Sequence, residues 1–414
     1  MSARFAPRLA LIAVVALAAR LIYALVIVKT DVLIGDAREF DTLARNLADG
    51  HGYVNPYLLE QGTVRPTAFK PPGYPFALAG VTAVGGGGYV AHHVFTCLLG
   101  VVTVVLAGLI GRRVGGDRVG LAAAGIAALY PILIAADGSL RSEALYTMLV
   151  AACMWAALRL VDRPTTVRAL VLGAFVGLAA LTRTEALILL VLLAVPVVGR
   201  SPARLRQVAV ALAAAVVVIA PWTIRNWSAF DQPVLVSTND GGVFRGANCD
   251  QAYHGPGTGF WFIECIKPTG ERNEAKSSAV QRRQGLEYAR EHAGRAVVVG
   301  GVRVLRTWEL YQPRRQAGLG SALEGRPLRF QQLATVVYFL LAALGVAGAV
   351  LLRHRHRILA VLLAPVVLVT LSSAISYGFT RFRAGAEPAI VVLAAVAVVA
   401  AAQRLAARRG TSTT

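Results

Sequence analysis

Asp36 and Glu39 stand three residues apart in the segment Gly35 to Tyr53, and Lys70 follows in Phe69 to Pro75, read F-K-P-P-G-Y-P. The segment lies between a first apolar run and the rest of a strongly apolar chain. A carboxylate at a membrane surface can take the proton of an attacking hydroxyl, which is worth about 10²–10⁴-fold in rate when it is well placed. A cation beside a leaving phosphate stabilises the charge that develops as the bond breaks. Together these residue types describe transfer of a group from a lipid phosphate to a hydroxyl.

The elements that must position them cross a membrane. The chain has 414 residues, 56% hydrophobic and 15% charged, a balance outside the range of water-soluble domains. Apolar runs long enough to cross about 30 Å of hydrocarbon recur along it. The expected fold is an all-α polytopic membrane protein with about ten transmembrane helices, at 8–28, 88–111, 119–136, 141–160, 168–182, 185–199, 207–224, 332–352, 358–376 and 388–405. The first run is too long for a signal peptide and has no convincing cleavage site, so it is read as a retained helix.

Charge fixes the expected orientation. The formal net charge is +20, and the arginines cluster in short loops at alternate helix ends: Arg4 and Arg8, Arg112, Arg113 and Arg118, Arg163 and Arg168, Arg200, Arg204 and Arg206, Arg353, Arg355 and Arg357, Arg404, Arg408 and Arg409. That pattern is the positive-inside signature. It predicts a multi-pass plasma-membrane protein with both termini cytoplasmic. A nucleic-acid partner is not expected, because no basic stripe interleaved with aromatics appears.

Two outer loops then exceed connector length. The first, 29–87, carries an amphipathic interfacial helix with Phe40, Leu43, Ala44 and Leu47 on one face. Pro71, Pro72 and Pro75 separate it from a short apolar piece at 76–84. The second, 225–331, is rich in glycine and turns in its first half and helical from about Glu274 to Leu310. The chain divides as a transmembrane core with its acidic loop, 1–224, an outer loop domain, 225–331, and C-terminal helices with a cytoplasmic tail, 332–414. Cys249 and Cys265 share the second loop, where an oxidising compartment permits a disulfide, two free thiols being the alternative. Cys97 and Cys153 read as packing residues.

The outer side also holds Asp41, Arg65, Asp137, Arg141, Glu143, Arg183, Glu185, Arg225, Arg381 and Arg383. Cations are sparse on that side unless an anion compensates them, and a lipid phosphate is the natural anion. Each assignment has a plainer competitor. Asp36 could cap the following helix, Lys70 could snorkel to the interface, and Arg381 and Arg383 could anchor the last span. Arg141 with Glu143, and Arg183 with Glu185, could be structural salt bridges. Arg225 and Asn226 could belong to an aromatic belt with Trp222 and Trp227. Arg20, inside the first span, either reaches the surface or binds another helix. His92 and His93 read as interfacial, and zinc is not expected. Asp36 and Glu39 could hold a divalent cation, which the residues do not decide.

The order of these parts resembles the GT-C membrane glycosyltransferases, in particular the family 39-like branch of protein O-mannosyltransferases and the lipid A aminoarabinose transferase. The matching pieces are D36-A-R-E-F and K70-P-P-G-Y-P, then L181-T-R-T-E185, then P-W-T-I-R-N from Pro221 to Asn226, and T380-R-F-R-A-G-A-E-P before the last span. The resemblance covers about residues 5–400. It implies inverting transfer from a polyprenyl-phosphate sugar to a hydroxyl of an envelope acceptor, with Asp36 as the base. It also implies that Lys70 approaches the donor phosphate, and Glu39, Arg65, Arg183, Glu185, Arg225, Arg381 and Arg383 are the remaining candidates for substrate binding. Phe69 stands where that branch has an acid, so a second carboxylate must come from elsewhere, with Glu39, Glu143 and Glu185 as substitutes. The rival reading is a secondary transporter or lipid flippase, which would show paired halves and broken helices at mid-membrane.

Overall fold

A computed structural model describes residues 4–28, 35–199, 201 and 204–411. The start of the first long loop, Arg200, and the side chain of Arg409 lie outside the described residues. The chain is a bundle of apolar helices, the form in which backbone polar groups are satisfied without water. Seven helices are long and apolar enough to cross a membrane: Phe5–Val28, Tyr89–Leu129, Glu143–Asp162, Leu205–Phe230, Leu328–Leu351, His356–Ile375 and Thr380–Arg408. Two shorter apolar helices, Thr166–Thr182 and Thr184–Val198, accompany them.

The 41-residue element Tyr89–Leu129 covers two of the expected spans. It reverses at Gly115 and Gly116, where Gly116 has φ +82°, a conformation L side chains rarely adopt. Its two legs then pack against each other so closely that a Cβ on Gly120 would lie 2.7 Å from the Gly108 carbonyl oxygen. The second leg stops at Leu129, short of the expected 136, because Pro131 opens a separate helix, Pro131–Asp137. With that hairpin, ten apolar legs are present among the described residues.

The two ends of the bundle differ in chemistry. At one end the arginine-rich turns meet each other: Arg112 Nε lies 2.6 Å from Asp117 Oδ1, Arg113 pairs with Asp162, Arg204 Nη1 donates to the Val161 carbonyl at 3.2 Å, and Arg355 donates to the Val114 carbonyl. At the other end the two long connections pack together. The first provides the helix Asp36–Ala48, whose Phe40, Leu43 and Ala44 are buried, and the helix Gly73–Val81. The second provides Asp240–Ala247, Glu274–Glu291 and Ala293–Thr307, followed by Pro313–Glu324, which the hydropathy pattern does not announce. Cys249 and Cys265 form a disulfide in this connection, and Cys97 and Cys153 are buried thiols.

An ion pair ties the first helix into the bundle. Arg20 and Asp137 are both buried, with Nε 2.8 Å from Oδ2, and the remaining guanidinium hydrogens reach the carbonyls of Ala16, Ala127 and Ala128. Arg20 therefore binds another helix rather than the surface. Gly100 makes room for the pair, since a Cβ there would meet Asp137 Oδ2 at 2.2 Å and Arg20 Nε at 2.6 Å. Removing one partner leaves a buried charge uncompensated, a loss of about 3–5 kcal/mol. Asp137→Ala is therefore expected to lower the thermal unfolding midpoint of the purified protein in detergent, with Gly100→Ala shifting it in the same direction. A wild-type midpoint for Asp137→Ala would show that this pair does not hold the first helix to the bundle.

Candidate active site

Asp36 opens its helix at the first position after Gly35, which has φ +57°, and no side chain caps this terminus. Capping is therefore not the role of Asp36. Its carboxylate instead faces cations from three separate segments. Lys70 Nζ lies 2.7 Å from Oδ1, Arg381 Nη1 lies 2.8 Å from Oδ2, and Arg141 Nη1 lies 3.5 Å from Oδ2. Glu39, one turn along the helix, sits 3.3 Å from Lys70 Nζ. Both acids lie in the first turn, where the helix dipole favours negative charge.

The scaffold explains how Lys70 arrives. Pro71 and Pro72 hold the chain out of helix until Gly73. A Cβ on Gly73 would meet Thr182 Oγ1 at 2.7 Å and the Leu181 carbonyl oxygen at 3.0 Å, so glycine lets the strip press against the turn that carries Arg183 and Glu185. The Tyr53 hydroxyl donates to the Lys70 carbonyl at 2.9 Å and fixes the strip from the other side.

A second layer of charge backs the first. Glu143 Oε1 lies 3.0 Å from Arg183 Nη1 and 3.8 Å from Arg381 Nε, and Arg183 Nε lies 2.7 Å from Glu185 Oε1. Glu324, from the end of the second connection, brings Oε1 to 3.2 Å from Arg141 and 3.7 Å from Arg381, while its Oε2 lies 3.3 Å from Arg326. The cations Lys70, Arg141, Arg183, Arg326 and Arg381 are thus matched one for one by Asp36, Glu39, Glu143, Glu185 and Glu324.

Burial and charge push the two acids of the first turn in opposite directions. Burial alone would raise the proton affinity of Asp36, but Arg381, Lys70 and Arg141 outweigh it and hold the carboxyl well below the usual range. For Glu39, burial outweighs Lys70, and with the repulsion of Asp36 its pKa is raised. The attraction of Asp36 and Glu39 exceeds the cost of burying Lys70 and raises the pKa of its ammonium.

The sequence candidates separate accordingly. Asp36, Glu39, Lys70 and Arg381 meet directly, and Arg183 and Glu185 adjoin them through Glu143. Arg383 does not join them. It is buried against Glu387, with Nε 2.5 Å from Oε1, and against Glu309, with its guanidinium 3.4 Å from the Tyr338 ring centre. Arg225 clasps the first connection by donating to the carbonyls of Tyr53 at 2.6 Å and Thr67 at 2.7 Å, with Trp222 beneath it. Arg65 is exposed on a neighbouring cavity.

Other readings of single residues change as well. Arg141 and Glu143 do not pair with each other; each turns to a different member of the cluster. His92 and His93 are buried rather than interfacial, and His92 links Asp41 at 2.8 Å to Thr82 at 2.9 Å. Glu324 and Arg326 were missed, although E324-G-R326 just before an apolar helix repeats the pattern of charge at helix mouths that marks the other site residues. Among the described residues no group of three or more His, Cys, Asp or Glu side chains is placed to hold a metal ion. Asp36 and Glu39 both turn to the Lys70 ammonium, so this donor set does not fit a divalent cation.

Residues 69–225 match the sequence family described as dolichyl-phosphate-mannose-protein mannosyltransferase. No curated protein matches the chain. The apo crystal structure of the Archaeoglobus fulgidus oligosaccharyltransferase is similar over 100% of this chain and 52% of its own, with a TM-score of 0.60 at 14% identity. The same organism's AglB in complex with an inhibitory peptide and a dolichol-phosphate covers 99% and 51%, also with a TM-score of 0.60 at 14% identity. The chain thus spans about half the length of these enzymes, and at such identity the likeness is one of fold. ArnT from Cupriavidus metallidurans bound to undecaprenyl phosphate aligns over 94% of this chain and 77% of its own at 17% identity, with a TM-score of 0.43 that is too low to carry an argument. The chain shares the fold of the Archaeoglobus fulgidus oligosaccharyltransferase and, over residues 69–225, the sequence pattern of the dolichyl-phosphate-mannose-protein mannosyltransferase family.

Proposed function

We propose that the protein moves a sugar from a polyprenyl-phosphate donor to a hydroxyl of an envelope acceptor, with inversion, at the outer face of the plasma membrane. The observation that carries the reading is the convergence of Lys70, Arg141 and Arg381 on one carboxylate at a helix start. The direction of the membrane rests on the arginine-rich turns at the opposite end of the bundle, which the positive-inside rule puts in the cytoplasm, together with both termini. The solved structures add support, since AglB is in complex with an inhibitory peptide and a dolichol-phosphate.

The reaction forms a bond from the acceptor oxygen to the anomeric carbon and breaks the bond from that carbon to the phosphate oxygen. The bonding pair leaves with the polyprenyl phosphate, which gains a negative charge, and the hydroxyl proton goes to Asp36. Lys70, Arg141 and Arg381 stabilise the leaving phosphate. Held by three cations, Asp36 is a weak base. A donor phosphate that claims Arg141 and Arg381 loosens that hold and raises the proton affinity of Asp36 toward what general-base work needs. Glu324 touches the same two arginines and is the carboxylate that the phosphate displaces. This exchange keeps the cluster close to electroneutral.

Two outcomes follow from this charge arrangement. Asp36→Asn should cut transfer from a radiolabelled polyprenyl-phosphate sugar to envelope acceptors by about 10²–10⁴-fold, while affinity for undecaprenyl phosphate holds or tightens, because a competing anion has been removed. Full transfer by that variant would remove Asp36 from catalysis. The second outcome concerns pH. The depressed pKa of Asp36 means that the stability it lends is present above the ordinary Asp value and is lost only as pH falls through the lower folded value. Glu39, whose pKa is raised, titrates at higher pH and should set the acid limb of the rate profile. A Glu39→Gln variant should lose that limb, and an unchanged profile would assign it to another group.

A further inference from the structure

Beside the Asp36 cluster a cavity of about 430 Å³ opens between the first long connection and the helix Glu274–Glu291. This is within the size range of small-molecule sites, which is about 300–1,000 Å³. Its floor is tied down. The Glu274 carboxylate accepts from the Ala68 amide at 2.8 Å, from Thr238 Oγ1 at 2.6 Å and from Thr67 Oγ1 at 2.7 Å. Ser277 is engaged with Thr269, and the Asn273 amide donates to the Phe230 carbonyl. These bonds hold the strip Thr67–Lys70 against the second connection, so the cavity and the Asp36 site share one wall.

Other lining groups have no such engagement. Among the described residues, the guanidinium groups of Arg65 and Arg272, the Glu271 carboxylate and the Gln281 carboxamide make no hydrogen bond or ion pair, and the Asn55 amide nitrogen is also unspent. They offer donors and acceptors together with little net charge. The apolar part of the wall is Leu58 and the Phe69 ring, which is 38% exposed. Lys70 Nζ lies 5.2 Å from the centre of that ring, so this wall of the cavity adjoins the Asp36 cluster.

The arrangement has a direction. Phe69 lines the cavity and lies against Lys70, which pairs with Asp36 Oδ1 and Glu39, and this puts the cavity on the Glu39 and Lys70 side of Asp36. Arg141 and Glu324 lie on the Oδ2 side. A donor phosphate on Arg141 and Arg381 and an acceptor hydroxyl from the cavity would then reach Asp36 from different sides, which leaves room for the hydroxyl to attack the anomeric carbon on the face opposite the phosphate.

We propose that this cavity is the acceptor site and that its occupant is a carbohydrate. The inference rests on the transferase reading above. A sugar presents hydroxyls that both donate and accept, which suits the mixed unspent groups, and a face of C–H bonds that can rest on Phe69. A lipid acceptor would need an apolar lining, and this wall carries Arg65, Glu271, Arg272 and Gln281. A polypeptide would present a run of backbone amides along an extended groove or a free strand edge, and this cavity offers neither.

The test places photoreactive benzoylphenylalanine at Leu58 in the full chain, in its native membrane, and identifies what it captures on irradiation. The expected result is an adduct that labels by periodate–hydrazide chemistry and falls at least fivefold when Arg65→Ala and Arg272→Ala are added. Both arginines are exposed, and an unchanged thermal midpoint of the double variant checks its folding. A protein or lipid adduct, or the lack of any carbohydrate adduct, overturns the proposal. Binding of undecaprenyl phosphate to the same preparations is measured in parallel. Failure of that binding would count against the donor reading, whereas the captured species reports on the acceptor alone.

Discussion

The site depends on one electrostatic constraint, which is that the carboxylate of Asp36 must be held against three cations in a place largely withdrawn from water. No single segment of the chain supplies those cations. Lys70 comes from the proline-rich strip after the first amphipathic helix, Arg141 from the turn before Glu143–Asp162, and Arg381 from the start of the last apolar helix, Thr380–Arg408. Because like charges this close repel, the cluster exists only with its matching acids, and Glu39, Glu143, Glu185 and Glu324 are each placed on one of these cations or on Arg183. Removing one member leaves its neighbours with unbalanced charge, so the cluster couples the two long connections to the membrane helices.

Rigidity of the bundle supports this arrangement. Arg20 and Asp137 hold the first helix to the Tyr89–Leu129 hairpin and to the short helix before Arg141. Arg383 and Glu387, with Glu309 nearby, fix the base of the last helix two residues beyond Arg381. Buried pairs of this kind contribute little net stability, but they penalise alternative packings, because each would strand a charge in an apolar surround. Asp137 lies four residues before Arg141 and Arg383 two residues after Arg381, on the same segments that carry those guanidinium groups to Asp36.

Much of this was legible in the chain. Hydropathy gave the ten apolar legs, since length and polarity alone decide whether a segment can lie in hydrocarbon. The sequence singled out Asp36, Glu39, Lys70, Arg183, Glu185 and Arg381, six members of the cluster, because uncompensated charge at helix ends is rare. What sequence could not give was pairing. Arg141 with Glu143 looked like a local pair, yet the two turn apart, and Arg225, while stacked on Trp222, also reaches across to backbone carbonyls of the first connection. Arg381 and Arg383 are two residues apart and lead to different acids. Glu324 was hidden because Pro313–Glu324 carries no strong periodicity, and its meaning appears only when the fold brings it within reach of Arg141.

The central claim is that the cations on Asp36 form the seat of a lipid phosphate. It is tested most directly by the affinity of the purified protein, in lipid nanodiscs, for undecaprenyl phosphate in the wild type and in Arg381→Ala. The account predicts a loss of at least tenfold, about 1.4 kcal/mol, with a smaller change for Arg383→Ala, whose guanidinium is spent on Glu387. Equal affinity in the wild type and Arg381→Ala would contradict it.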